Sequence, residues 1–117
     1  VPGSYLDEDE VSAVRARELV EAGSAWLLDV REGYEWDAGH APDAHHIPMS
    51  EIEARQLELP EAEQILVICH TGARSRMVTD ALNRADYPSA NVVGGMAAWQ
   101  ASGADVVRDD GAAGEVV

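Results

Sequence analysis

The sequence predicts a small three-layer α/β/α domain around a central, mostly parallel sheet. Two short apolar runs, Trp26-Leu27-Leu28-Asp29-Val30 and Ile65-Leu66-Val67-Ile68, read as strands buried on both faces. Stretches with helical spacing of apolar residues flank them. The chain has 117 residues, 46% hydrophobic and 26% charged, enough for one globular domain with its own core. Crossovers between parallel strands are expected to be right-handed.

In chain order, Val1 to Ser4 reads as a remnant of processing or cloning, because the chain starts without Met. Asp7 to Glu10 is an acidic, solvated lead-in. Ser12 is an N-cap candidate. Ala13, Ala16, Leu19 and Val20 then keep one helical stripe up to Gly23, a natural C-terminal stop. The strand at Trp26 follows, with Asp29 and Arg31 at its end. Glu32 to Ala38 reads as a short helix with Trp36 inward, ended by Gly39. His40 to Pro48 is a loop with two prolines, in which Ile47 is a brief strand or a buried anchor.

Ser50-Glu51-Ile52-Glu53 looks like a helix start, with the helix ending near Pro60. After the strand at Ile65, the residues Met77, Val78, Ala81, Leu82 and Ala85 fall on one helix face. Pro88 closes that region. Asn91-Val92-Val93 is a short last strand, Gly94-Gly95 a tight turn and Met96 to Ala101 a last helix stopped by Gly103. Residues 108–117 end a Gly-, Ala- and Asp-rich tail expected to be poorly ordered.

Charge narrows the function. The net charge is −14, with eight Arg and no Lys. Nucleic acid and anionic membranes both demand basic patches, so neither is expected as a partner. No apolar run approaches the ~20 residues of a membrane helix, and no signal peptide is visible. From Gln64 to Thr79, however, there is no Asp or Glu, while two Arg and one His are present. That stretch is electrostatically distinct from the rest of the chain.

The same stretch holds the only cysteine, Cys69. It stands at the carboxyl end of a buried strand, where open α/β sheets bind ligands. His70-Thr71-Gly72-Ala73-Arg74-Ser75 links it to the next helix. The first amides of that helix lack intrahelical partners and carry partial positive charge. A loop with Gly72 can also turn successive amides inward as an anion nest. Arg74 and Arg76 add positive charge. All of this favours a thiolate, so Cys69 is expected to ionise below the free thiol value of about 8.5. One cysteine forms no internal disulfide or Cys-rich zinc site. A lone reactive thiol points to a reducing, cytoplasmic compartment.

The chain resembles the single-domain rhodaneses, a family of sulfurtransferase modules. The matching pieces are Leu28-Asp29-Val30-Arg31-Glu32 with Glu35-Trp36, then Gly39-His40-Ala41-Pro42-Asp43-Ala44 and Ile47-Pro48. Cys69-His70-Thr71-Gly72-Ala73-Arg74-Ser75 and Gly94-Gly95-Met96-Ala97-Ala98-Trp99 complete the set. They come in family order and cover roughly residues 9 to 107, so the rhodanese domain is placed at 5–107. His46 stands where the family commonly has Asn before the Ile-Pro pair, which reads as tuning of loop packing.

This resemblance implies that Cys69 is the catalytic nucleophile. It takes a sulfane sulfur from a small anionic donor such as thiosulfate and becomes a persulfide. Cyanide, a thiol or a sulfur-accepting protein then removes the sulfur, in two covalent steps. His70, Thr71, Gly72, Ala73, Arg74 and Ser75 would bind the substrate through loop amides, with Arg74 stabilising loop and anion. Asp29, Arg31 and Glu35 are expected to form a structural ion-pair network at a strand end, and His40 and Trp99 to give structural support. Trp36 and Trp99 would be core or pocket-wall residues, and Met96 would help wall the pocket.

No cofactor is required. No metal is expected at His40, His45 and His46, which lack a carboxylate or Cys at ligand spacing. The expected state is a monomer or weak dimer. Related folds that handle phosphate or arsenate carry five residues between Cys and Arg. Here only four separate Cys69 from Arg74, and the smaller ring suits a single sulfur atom. Two other readings remain: a non-enzymatic interaction module, disfavoured by the intact Cys69, Gly72 and Arg74, and a thiol redox sensor, which lacks a resolving cysteine in the chain.

Overall fold

A computed structural model describes residues 5–117; the expected remnant Val1–Ser4 lies outside them. Among the described residues, five strands form one sheet, β1 (Glu10–Val11), β2 (Trp26–Asp29), β3 (His45–His46), β4 (Ile65–Ile68) and β5 (Ser89–Val92). Their order is β1-β5-β4-β2-β3 and every pairing is parallel. The helices are α1 (Ala13–Glu21), α2 (Gly33–Ala38), α3 (Ala73–Arg84) and α4 (Gly95–Ala101).

The central strand β4 explains the layering. All four of its side chains are buried, and alternation sends them to opposite faces. Leu66 and Ile68 join Ala13, Ala16, Met96 and Trp99 in the core under α1 and α4. Ile65, Val67 and Cys69 join Val78, Leu82 and Ile47 in the core under α3. A continuous apolar run is therefore two half-faces, each serving one layer.

Local signals shape the helix ends. The Ser12 side chain accepts the Arg15 amide and starts α1. In α2, Glu32 and Glu35 form a reciprocal capping box. α3 begins at Gly72, whose φ of 108° suits glycine.

Several expectations need correction. The acidic lead-in ends in a strand: Glu10 and Val11 pair with Asn91 and Val92. The helix expected from Ser50 is instead two 3-10 turns, Met49–Glu51 and Gln56–Glu58. Leu57 is fully exposed while Leu59 is buried, so the apolar residues there never build one helical stripe. On α3 only Val78 and Leu82 of the expected stripe are buried; Met77 is 65% exposed beside a shallow groove shared with Met49 and Ile52. Met96, expected to help wall the pocket, is wholly buried in the core under α1 and α4.

The tail expected to be disordered, residues 108–117, packs back on the fold. His40 and Val107 exchange both backbone hydrogen bonds at 2.8 Å, and Val107 bridges onward to Ala113. The Glu115 amide donates to the Ala38 carbonyl at 2.8 Å. This is possible because Gly39 meets the tail with no side chain; a Cβ there would lie 2.6 Å from Glu115 backbone atoms. Small residues, read from composition as flexibility, here permit close backbone packing.

Candidate active site

Cys69 follows the last residue of β4 and is 1% exposed. Three donors converge on its sulfur. The Gly72 amide lies at 3.1 Å, the Ser75 amide at 3.4 Å and the Ser75 hydroxyl at 3.2 Å. The loop thus wraps the sulfur with groups that prefer a negative charge. Burial pushes the thiol up, but the Ser75 hydroxyl and the Ser75, Gly72 and Thr71 amides outweigh it. The Cys69 pKa is lowered below its ordinary value.

The loop is held from behind by α4. The Met96 amide donates to the Cys69 carbonyl at 2.8 Å and the Ala97 amide to the His70 carbonyl at 3.0 Å. Gly95 makes this approach possible: with φ of 56°, a Cβ on it would collide with the Cys69 and His70 carbonyls. The Gly94-Gly95 pair, read from sequence as a tight turn, therefore also seats the cysteine loop.

Arg74 closes the loop on its other side. Its two terminal nitrogens donate to Glu35 of α2 at 2.7 and 2.9 Å. Hydrogen bonding from Arg74 holds the Glu35 carboxyl at about 2, against an ordinary 4.5. Glu35 also accepts the Glu32 amide at 3.0 Å, so one buried carboxylate caps α2 and anchors the loop. Arg76 turns away to Asp9 and Asp80, at 2.9 and 2.5 Å, and adds no free positive charge over the sulfur.

The expected Asp29–Arg31–Glu35 network divides in two. Arg31 and Asp29 are wholly buried, paired at 2.7 Å, with Arg31 also donating to the Gly39 carbonyl at 2.8 Å. Glu35 belongs to Arg74 instead. Of the other loop residues, Gly72 and Ser75 are buried, His70 is half-buried, and Thr71 and Ala73 are exposed.

The histidines are occupied elsewhere. Trp36 is stacked between His40 and His46, with centroids 3.6 and 4.8 Å away. His40 Nε2 lies 2.9 Å from Asp109, and His46 Nε2 2.8 Å from the Arg31 carbonyl oxygen. His45 stacks on Trp26. Trp99 donates to the Asp105 carbonyl at 3.0 Å, tying α4 to the tail. Among the described residues, no group of three or more His, Cys, Asp or Glu side chains is placed to hold a metal ion. No described helix is long and apolar enough to cross a membrane.

Asn91 escaped the sequence reading. Its amide nitrogen donates to the Gly72 carbonyl at 3.2 Å, and Ser75 Oγ lies 2.5 Å from its oxygen. The available signal was a polar residue directly before the apolar pair Val92-Val93 of the last strand.

Comparison with known proteins agrees with this architecture. The profile of the Rhodanese-like domain family matches residues 12–102. The chain belongs to the Rhodanese-like domain family. It is 37% identical over 92 residues to YrkF of Bacillus subtilis, a match covering 77% of this chain but only 50% of that protein. It is 30% identical over 95 residues to the thiosulfate sulfurtransferase GlpE of Actinobacillus pleuropneumoniae serotype 7, covering 80% of this chain and 88% of that one. A crystal structure of a rhodanese-related protein from Thermoplasma volcanium superposes with a TM-score of 0.79 at 28% identity, covering 86% of this chain and 98% of that one.

Proposed function

We propose that this rhodanese domain is a sulfurtransferase that moves a sulfane sulfur from thiosulfate, or a related small anionic donor, to cyanide or a thiol. The observation that carries this reading is the ring of loop donors around the Cys69 sulfur. The name of the relative GlpE supports thiosulfate as the donor.

In the first step the Cys69 thiolate attacks the outer sulfur of thiosulfate. The new S–S bond forms as the old one breaks, and sulfite leaves with the electron pair. The product is a persulfide whose outer sulfur carries the negative charge. In the second step cyanide or a thiolate attacks that outer sulfur, and Cys69 leaves as a thiolate again. The Gly72 and Ser75 amides serve both steps, because each places negative charge on sulfur at the loop. The Glu35–Arg74 pair keeps the loop closed. A sulfur-accepting protein is a further acceptor compatible with this chemistry, and a reducing, cytoplasmic setting would keep the thiol available.

The absence of a second cysteine to resolve an oxidised Cys69 weighs against a thiol redox sensor. The four-residue spacing from Cys69 to Arg74 weighs against phosphate or arsenate as substrate. The test is thiocyanate formation from thiosulfate and cyanide. The native protein is expected to turn over with ping-pong kinetics, and Cys69→Ser to lose turnover while keeping its fold. Turnover by folded Cys69→Ser would remove Cys69 as the nucleophile.

A further inference from the structure

Asn91 sits in β5, aligned with Val67 of β4 and Glu10 of β1, and its side chain is buried. Its amide is oriented by its partners: Nδ2 donates to the Gly72 carbonyl oxygen at 3.2 Å, which a flipped amide would meet with another oxygen. The Asn91 oxygen therefore faces Ser75 Oγ at 2.5 Å. On its other side, Ser75 Oγ lies 3.2 Å from the Cys69 sulfur. A hydroxyl has one hydrogen, so it cannot donate to both neighbours at once.

We propose that Asn91 is a positioning residue for Cys69: its side-chain oxygen competes with the sulfur for the single Ser75 hydroxyl hydrogen, and so sets how readily the thiol ionises. With a neutral thiol, the S–H donates to Ser75 Oγ, which donates to Asn91, and every group is satisfied. When the thiol proton leaves to solvent, the Ser75 hydrogen swings to the thiolate. The Asn91 oxygen then faces a hydroxyl lone pair, so ionisation costs the Ser75–Asn91 bond. Once a persulfide forms, the charge lies on the outer sulfur and the hydrogen can return to Asn91. Asn91 thus favours the uncharged inner sulfur over the bare thiolate.

The charged groups around the thiol are few. From α3 comes Arg74, held by Glu35 of α2. The Asp29–Arg31 pair ends β2, and His70 follows Cys69 in the loop. Glu10 of β1, opposite Asn91 in register, is taken up by Arg76 at 3.8 Å. β5 and α4 face the site with the uncharged Asn91, Gly95 and Met96.

This inference rests on Cys69 being the sulfur-carrying nucleophile, yet its test is independent of sulfur transfer. Iodoacetamide reacts with the thiolate, and Cys69 is the only cysteine, so the alkylation rate against pH reads its ionisation directly. Asn91→Leu is expected to lower the midpoint by about 0.5 to 1 pH unit. Ser75→Ala is expected to raise it. In the Ser75→Ala background, Asn91→Leu is expected to have no effect, because no hydrogen is left to compete for.

A midpoint raised or unchanged by Asn91→Leu, or lowered equally with and without Ser75, would overturn the proposal. Asn91→Ala, which introduces no bulk against the loop, gives the same reading if Asn91→Leu does not fold. Failure to form a persulfide would count against the sulfurtransferase reading alone, since the alkylation pattern does not depend on it.

Discussion

Arg74 and Arg76 sit two residues apart in the first turns of α3, yet their surroundings differ completely. Arg74 reaches inward to Glu35, whose side chain is 5% exposed. Arg76 reaches outward to Asp9 and Asp80, whose side chains are 59% and 48% exposed. Both look alike in the sequence as positive charge beside the cysteine. The structure makes one a clamp on the loop through a buried carboxylate and the other a member of a solvated surface network. Neither is a free cation above the sulfur. What stabilises the thiolate is the set of loop hydrogen bonds, positioned by the inner flank of the loop.

The inner flank is the place to break first. Gly95→Ala drives a methyl group into the carbonyls that α4 holds, at a positive φ. The expected loss is about 4 kcal/mol of stability, read by urea unfolding, with sulfur transfer lost under conditions where the variant is still folded. Glu35→Ala leaves Arg74 without its partner and removes the α2 cap, with an expected loss of about 3 kcal/mol. Glu35→Gln, which retains an acceptor for the Glu32 amide, should lose less; its loss relative to the native protein reads the charge, and the difference between the two variants reads the cap and packing.

The same pair has a pH signature. The folded Glu35 pKa is about 2, depressed from 4.5, so the native state holds the carboxylate more tightly than the unfolded chain does. Its contribution is fully present above pH 4.5 and is lost as pH falls toward 2. The amount at stake is about 2–3 kcal/mol, allowing for partial solvent access to Arg74. Unfolding midpoints measured across that window should fall more steeply for the native protein than for Glu35→Gln. Parallel curves would mean that the pair contributes nothing beyond its hydrogen bonds.

The smallest effects belong to the arginines as charges. Arg74→Ala is expected to move the Cys69 alkylation midpoint by less than about 0.5 pH unit, since the leading stabilising contacts to the sulfur come from Ser75, Gly72 and Thr71. Arg76→Ala should cost less than about 1 kcal/mol, and that cost should shrink in high salt. A large effect of Arg76→Ala on alkylation would erase the distinction between the two arginines.

Much of this was legible in the chain itself. β4, its loop and α3 stand out because apolar run, glycine and helical spacing are all local signals. Ser12 and Gly23 bracket α1 in the same way. The Glu35–Arg74 pair was not legible, because its members lie 39 residues apart and only the folded sheet brings α2 beside the loop. β1 escaped because two residues form a strand only when β5 is there to pair with them. The packed tail escaped because glycine and alanine signal flexibility locally, and their use in close contact with Gly39 depends on tertiary structure. Asn91 was visible as a polar residue in a buried strand, but its two partners lie in the cysteine loop and α3.

The most direct measurement is the intact mass of the native protein after thiosulfate, taken before and after cyanide. The account predicts the gain of one sulfur atom that cyanide removes, with no gain in Cys69→Ser. A gain that persists in Cys69→Ser, or no gain in the native protein with thiosulfate and with a panel of persulfide donors, would contradict it.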